Sequence, residues 1–301
     1  MRPALRPGLL ATWRDNDTVQ LGVDARRAVA VTGMSEAADV IRLLDGSRDR
    51  AQVIADASRT GVPAAVAERV LTVLAAAEAL IDYPAPLLRS LPAELRRLLL
   101  PVLAVASLTG PDSDGGARQL ARRSAMTVAV TGRGAVAETV ADLLTRSGLR
   151  ARREPGVQGL ADLTVLVGRQ QPENIAELSR LRRPHLAVLA TEAIGVVGPL
   201  VHPGSTACLR CLDLVRAERD PAWPLVLAQV AGRDADPSGS DPVLEAAVAA
   251  QAAAVAVAVA DRAPLALAAV NGTLELVLPA WQWRRRSWRP HPGCNCISRA
   301  M

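Results

Sequence analysis

The first thirty residues carry their apolar positions in short blocks. Residues 9–13 and 18–23 read as strands parted by the turn formers Asp15, Asn16 and Asp17, and residues 28–32 as a third strand after a turn at 24–27. The rhythm then becomes helical. Ser35 suits the cap of a first helix, because its hydroxyl can accept from a free amide of the first turn. That helix runs through Val40, Ile41, Leu43 and Leu44 and stops at Asp45-Gly46. A second fits 50–59, ending before Gly61. Pro63 opens a third, with Val66, Val70, Leu71, Val73 and Leu74 at helical spacing. Leu80 and Ile81 close the module. Three small strands and three helices predict an α+β winged helix over residues 1–84.

Residues 85–124 read as a connector. Pro84 and Pro86 end the first module, 91–100 is helical, 111–116 is a polar turn, and 115–123 starts another helix. From Met126 the pattern changes again. "MTVAVTGRGAVAETVADLLTRSGL" is a buried strand, a glycine turn and a helix, the opening of a nucleotide-binding α/β domain. The turn is Gly132-Arg133-Gly134, and the third glycine of the usual fingerprint is Ala137. Lacking side chains, the glycines let backbone amides approach a phosphate. A strand at 163–167, a helix at 172–181 and a strand at 186–189 continue a mostly parallel sheet. Residues 125–301 thus form an α/β, Rossmann-like domain. Near its end, Asn271-Gly272 predicts a hairpin between "LALAAV" and "TLELVLPA". "WQWRRRSW" follows. Either Trp281, Trp283 and Trp288 form a stacking face beside arginines, or the indoles cap the sheet while the arginines face water. Residues 220–224 read as a rigid turn anchored by Trp223.

Composition narrows the partners. Half of the 301 residues are hydrophobic but only 2% are aromatic, so the core is Ala, Val and Leu. There is no lysine, so all 35 basic side chains are arginines, and the net charge is +5. They are spread along the chain, which reads as solvated surface. The third helix offers only Arg69 against Glu68 and Glu78, which argues against DNA. The most apolar stretch, 243–259, is alanine-rich with Glu245 and Gln251, and reads as a buried helix rather than a membrane span. No signal peptide is visible, so the expectation is a cytoplasmic chain, free of membrane and nucleic acid, with reduced thiols.

In that setting four cysteines in two close pairs suggest metal. Cys208 and Cys211 form a Cys-x-x-Cys turn, and Cys294 and Cys296 a Cys-x-Cys pair. Zinc favours tetrahedral thiolate coordination, which two such pairs supply as a structural site. A redox pair or unrelated thiols are the alternatives. His291 sits near the second pair; His185 and His202 have no partner pattern and read as structural.

Two resemblances add to this. The run "LGVDARRAVAVTGMSEAADVIRLLDGSRDRAQVIADASRTGVPAAVAERVLTVLAAAEALID" resembles the PqqD-type fold, the RiPP recognition element. That resemblance implies binding of a leader peptide as an added strand beside the third helix. Carried onto this chain, the edge is Ala28, Val29 and Val31, the flanking groove Arg69, Val70, Val73 and Leu74, and Arg26 and Arg27 meet acidic peptide residues; the alternative is that Val70 and Leu74 are core. Residues 126–296, with "GPLVHPGSTACLRC" and the returning "HPGCNC", resemble the ThiF/MoeB family, which activates the C-termini of ubiquitin-like proteins with ATP. The one-residue spacing of the second pair departs from the commoner Cys-x-x-Cys.

The ThiF/MoeB resemblance also implies a ribose-binding acid at the end of the second strand, an Asn-Arg segment and a catalytic lysine. The chain has no lysine, and "RARREPGVQG" at 150–159 offers no clear counterpart to the acid or the Asn-Arg segment. Arg152 and Arg153 are candidates for phosphate contact, but arginine does not reproduce every role of lysine. Asp162 reads as a cap rather than a ligand for Mg²⁺. Losing even one preorganised charge-stabilising donor costs roughly 10²–10³ in rate. The expectation is therefore a degenerate activating-enzyme fold, a pseudoenzyme with no catalytic residues. It would capture a peptide and present it to a partner such as a YcaO-type enzyme, as in proteins of azoline-peptide biosynthesis. One alternative is an ATP- and Mg²⁺-dependent adenylyltransferase; another is a structural or regulatory homodimer.

Overall fold

The computed structural model describes residues 2–32, 36–83, 85–110, 113–157, 159–230 and 240–297. The chain divides into two compact units, Met1–Ala121 and Arg122–Met301.

In the first unit the chain runs β1 (Pro3–Leu5), β2 (Ala11–Asp15), β3 (Thr18–Leu21), β4 (Val29–Thr32), α1 (Ala37–Arg42), α2 (Arg50–Arg59), α3 (Ala64–Ala76), β5 (Leu80–Asp82), α4 (Ala85–Ser90) and α5 (Ala93–Thr109). Helix α6 (Ala117–Ala125) crosses into the second unit. Strands β2, β3 and β4 form an antiparallel sheet in that order. Val19, Leu21 and Val31 lie on its inner face and pack on Val40, Ile41, Val53, Val70, Leu71 and Leu74. Burying each such side chain contributes roughly 1.5–3 kcal/mol. The expected helices are present, and α2 starts with a capping box between Asp49 and Gln52. Ser35 lies outside the described residues, as do 111–112 of the polar turn.

Three local features differ from expectation. Strand β1 pairs antiparallel with β5, Ala4 opposite Ile81, so residues 80–82 close a ladder rather than merely end a module. Strand β2 lies two residues later than the apolar block suggested, and all five of its residues are exposed. Helix α5 continues through Pro101 to Thr109, because Leu99 and Leu103 on either side of the proline are buried with Leu88 and Leu120.

In the second unit the elements are β6 (Thr127–Thr131), α7 (Ala135–Arg146), β7 (Arg150–Glu154), β8 (Leu163–Val167), α8 (Pro172–Arg180), β9 (His185–Thr191), β10 (Ile194–Val201), α9 (Leu209–Arg219), α10 (Trp223–Val230), α11 (Pro242–Asp261), α12 (Pro264–Ala269), β11 (Gly272–Val277) and β12 (Gln282–Ser287). One mixed seven-stranded sheet has the order β12-β11-β10-β9-β8-β6-β7. Strands β7, β6, β8 and β9 are parallel, and β9 to β12 antiparallel. After β6 the chain goes to one side to make β7 and then to the other to make β8. Such a reversal opens a crevice at the carboxyl ends of the strands.

Helix α11 is long and apolar enough to cross a membrane by length and composition alone. Half of its most apolar window is nevertheless buried. Val248, Ala252, Val255 and Ala256 pack in one core with Val140 and Leu144 of α7 and Val188 and Val197 of the sheet.

The Asn271-Gly272 hairpin is also corrected. "LALAAV" is not a strand: Pro264 starts α12 there, and the alanine- and leucine-rich segment follows its helical preference. Asn271 takes a left-handed backbone (φ 48°) between α12 and β11. The hairpin is β11–β12, one turn later, with Gly272 opposite Ser287 and Val277 opposite Gln282. The expected turn is present, closed by the Trp223 amide donating to the Asp220 carbonyl at 2.9 Å; Trp223 then begins α10, and its indole donates to Asp213 at 3.2 Å.

Candidate functional site

The four cysteines come together. Strand β10 ends at Val201, and a turn tied by Thr206, whose hydroxyl accepts from the His202 amide at 2.8 Å, leads to Cys208 at the N-cap of α9. Cys211 lies in the first turn of that helix. Cys294 and Cys296 follow β12, and Cys294 is fixed by a bond from its amide to the His291 carbonyl. Asn271 brings the segments together: its side chain accepts from the Ala207 amide at 2.7 Å, and its carbonyl accepts from the Trp288 amide at 2.9 Å.

The sulfurs are 3.8 Å apart for Cys208 and Cys211, 3.7 Å for Cys208 and Cys294 and 3.3 Å for Cys211 and Cys296, and all lie within 4.8 Å of one another. All four thiols are free. A tetrahedral thiolate site with metal–sulfur bonds of about 2.3 Å has sulfur–sulfur edges of roughly 3.8 Å. The cluster fits such an ion, and these four residues would hold it. Burial pushes the Cys208 thiol up, and charge on the other three sulfurs adds to the effect. Burial also raises Cys296, with thiol contacts from Cys211 and Cys294, to about 11. Desolvation likewise opposes ionisation of Cys211, but backbone hydrogen bonds from His291 and Cys208, with the Cys296 and Cys294 thiols, bring it below its ordinary value. Buried thiolates this close need a cation to ionise together. Cys208 and Cys296 also line a polar pocket of about 140 Å³ with Arg182 and Asn295, which gives an ion a route in.

His291 is not a ligand. Its Nδ1 accepts from the Gly293 amide at 3.0 Å, leaving Nε2 to donate to Glu218 at 2.7 Å. His185 is buried, with Nδ1 donating to the Arg183 carbonyl at 3.0 Å.

The second feature is the crevice. Gly132 has φ +131°, and a Cβ there would meet the Val167 carbonyl at the end of β8. Gly134 caps α7 with φ +83° and has nothing within 4 Å of its missing Cβ. Arg152 donates to the Leu160 carbonyl at 2.9 Å and Arg153 to the Gly132 carbonyl at 2.8 Å, so both phosphate candidates are engaged with the backbone. Glu154 ends β7 opposite Thr131 at the end of β6, where Arg152 pairs with it at 3.4 Å. The sequence does not mark β7 as a strand because it has the pattern of a polar loop: Arg150, Arg152 and Arg153 leave no apolar alternation on this edge strand. Asp162 accepts from the Thr127 amide at 2.7 Å, at the opposite end of β6, as a cap would.

No family model and no curated protein matches the sequence. Solved structures do match. The chain is similar in fold to the heterocyclase TruD and to MccB. The TruD match has TM-score 0.66 at 18% identity over 98% of this chain and 42% of TruD. Escherichia coli MccB with ATP matches with TM-score 0.61 at 13% identity over 99% of this chain and 100% of MccB. The microcin C7 biosynthetic enzyme MccB in complex with N-formylated MccA matches with TM-score 0.60 at 14% identity over 98% and 99%. The chain therefore spans about two fifths of TruD and essentially all of MccB.

The third feature belongs to the first unit. Among the described residues β4 pairs with β3 alone, so its outer edge is open. Val29 and Ala28 are half-buried, and Ala30 and Thr32 are exposed. The side chains of the edge residue Val31 and the groove residues Val70 and Leu74 lie in the unit's core, at 1%, 0% and 0% exposure. Sequence periodicity marks a helix's apolar stripe without saying whether core or ligand covers it. Arg69 is exposed and Val73 half-buried. Arg26 is held by Asp24 at 2.6 Å, and Arg27 donates to the Leu108 carbonyl.

Proposed function

We propose that this chain captures a substrate or leader peptide and presents it to a separate modifying enzyme of YcaO type. In this reading the first unit is a winged-helix RiPP recognition element. The second is a Rossmann-like, ThiF-type domain that retains a structural zinc at Cys208, Cys211, Cys294 and Cys296 and has lost adenylation. The open outer edge of β4 carries the reading. Main-chain hydrogen bonds to a peptide strand would give affinity there, and Arg69 and Val73 would contact its side chains. The similarity to MccB, solved with N-formylated MccA, and to TruD supports a peptide-handling role. The protein would work as a homodimer in the reducing cytoplasm.

Hydrogen exchange with a precursor peptide tests this. Added peptide should protect the amides of Val29–Thr32, and Val73→Asp with Arg69→Glu should weaken binding by about tenfold or more. Equal exchange with and without saturating peptide overturns the strand-edge reading.

A second reading is ATP-dependent adenylation of a peptide C-terminus. Glu154 favours it, since it sits beside the glycine turn at the switch in strand order. Peptide-dependent pyrophosphate release from ATP and Mg²⁺, lost in Glu154→Gln, would establish it in place of the degenerate fold.

A further inference from the structure

Between the last turns of α9 and the segment leaving β12 lies an open pocket of about 430 Å³. That is within the range of small-ligand sites, roughly 300–1,000 Å³. Three arginines line it, Arg219, Arg286 and Arg289. None of them has a carboxylate partner among the described residues. The acid lining the pocket, Glu218, is bonded to His291 at 2.7 Å. Three arginines against one carboxylate leave the site net cationic.

It is also built. Trp288 is 5% exposed, and its indole donates to the Thr273 hydroxyl at 3.0 Å. Arg286 stacks on that ring at 4.3 Å, which holds the guanidinium plane in place before any ligand arrives. Trp288 packs in one cluster with Cys208, Cys211, Leu212 and Cys294, so the cysteine cluster joins the two walls.

We infer that this pocket binds the carboxylate side chains of an acidic peptide segment. Planar guanidinium groups match carboxylates bidentately. Val215, Pro290 and Pro292 line the same pocket and suit a chain that alternates acidic and apolar residues. The C-terminal end of α9 lies here and its dipole disfavours phosphate and carboxylate alike, so the arginines supply the attraction and the apolar lining favours a peptide over a bare phosphate. The occupant is inferred from the pocket's own charge and lies in the second unit, so its failure and that of the strand-edge reading are separate results.

The test is fluorescence anisotropy with the zinc-loaded full chain and two short labelled peptides. One alternates Asp or Glu with apolar residues; the other replaces each acid by Asn or Gln. The acidic peptide should bind saturably and the neutral one at least about tenfold more weakly. Arg219→Glu with Arg289→Glu should cost the acidic peptide about tenfold or more, and the double lysine variant less. A control reversal at exposed positions of the other unit, Arg14→Glu with Arg97→Glu, should cost little beyond its effect on net charge. Equal binding of both peptides, equal loss in the control, or full displacement by millimolar phosphate or ATP but not by chloride of the same ionic strength overturns the proposal.

Discussion

Arg123 grips Asp261 with two parallel bonds, Nε to Oδ1 at 2.8 Å and Nη2 to Oδ2 at 2.5 Å, both side chains about one-tenth exposed. The pair joins the last turn of α6 to the last residue of α11, the helix at the centre of the second unit's core. Removing one partner leaves a buried charge alone, at about 3–5 kcal/mol. Arg123→Ala should therefore lower the second unit's urea midpoint sharply. Arg123→Met with Asp261→Leu should recover most of the loss. If the single variant unfolds like the parent, the pair is not holding α11.

Metal analysis should find one zinc per chain. Chelation or Cys208→Ser should lower the melting temperature of the second unit and leave the helical signal of the first intact. An equal melting temperature with and without chelator would remove the structural role of the cluster.

His185 makes stability depend on pH. Burial lowers its pKa below 6.5, and nearby His202 adds to the effect, against the bond to Arg183 that raises it. In the tautomer that donates to Arg183, a second proton would have to enter at Nε2, which is buried without a partner. Below pH 6.5 the unfolded chain takes up this proton first, so stability falls as the pH drops and levels off once the folded form is also protonated. Denaturant midpoints from pH 7.5 to 5.5, with zinc content checked at each pH, should show this decline, and His185→Gln should flatten it. An unchanged slope in the variant would assign the decline to other groups.

The two turn glycines should respond unequally. Gly134→Ala meets only a backbone conformation (φ 83°, ψ 179°) that is essentially reserved for glycine, about 1–3 kcal/mol. Gly132→Ala adds a collision with the Val167 carbonyl and should cost clearly more. Urea unfolding of the two variants compares them directly, and equal losses would mean that the close approach of β6 to β8 is relaxed in solution.

The sequence was most legible where one physical rule governs a position. Helix α2 lies where its apolar spacing put it, and the cysteines meet because their spacing suits one ion. It was least legible where a distant partner decides. Strand β1 is defined by pairing with residues near position 81, and β7 by a ladder that its arginines conceal. Asn271-Gly272 carried the chemistry of a left-handed corner, but the corner joins a helix to a strand and anchors Ala207 beside Cys208. Within the groove, periodicity identified Val70 and Leu74 as inward-facing without revealing that the fold's own core covers them.

The cysteine cluster also acts on the unfolded chain. Cys208 and Cys294 are 86 positions apart, and α11, α12, β11 and β12 all lie between them. An ion held by both pairs would close that loop as a cross-link does, removing about 4.6 kcal/mol of disorder from the unfolded chain on the scale for covalent links. The antiparallel end of the sheet would then be the part of the second unit that loses most when the ion leaves. Protease sites between α11 and β12 should open before those in β6 or α7.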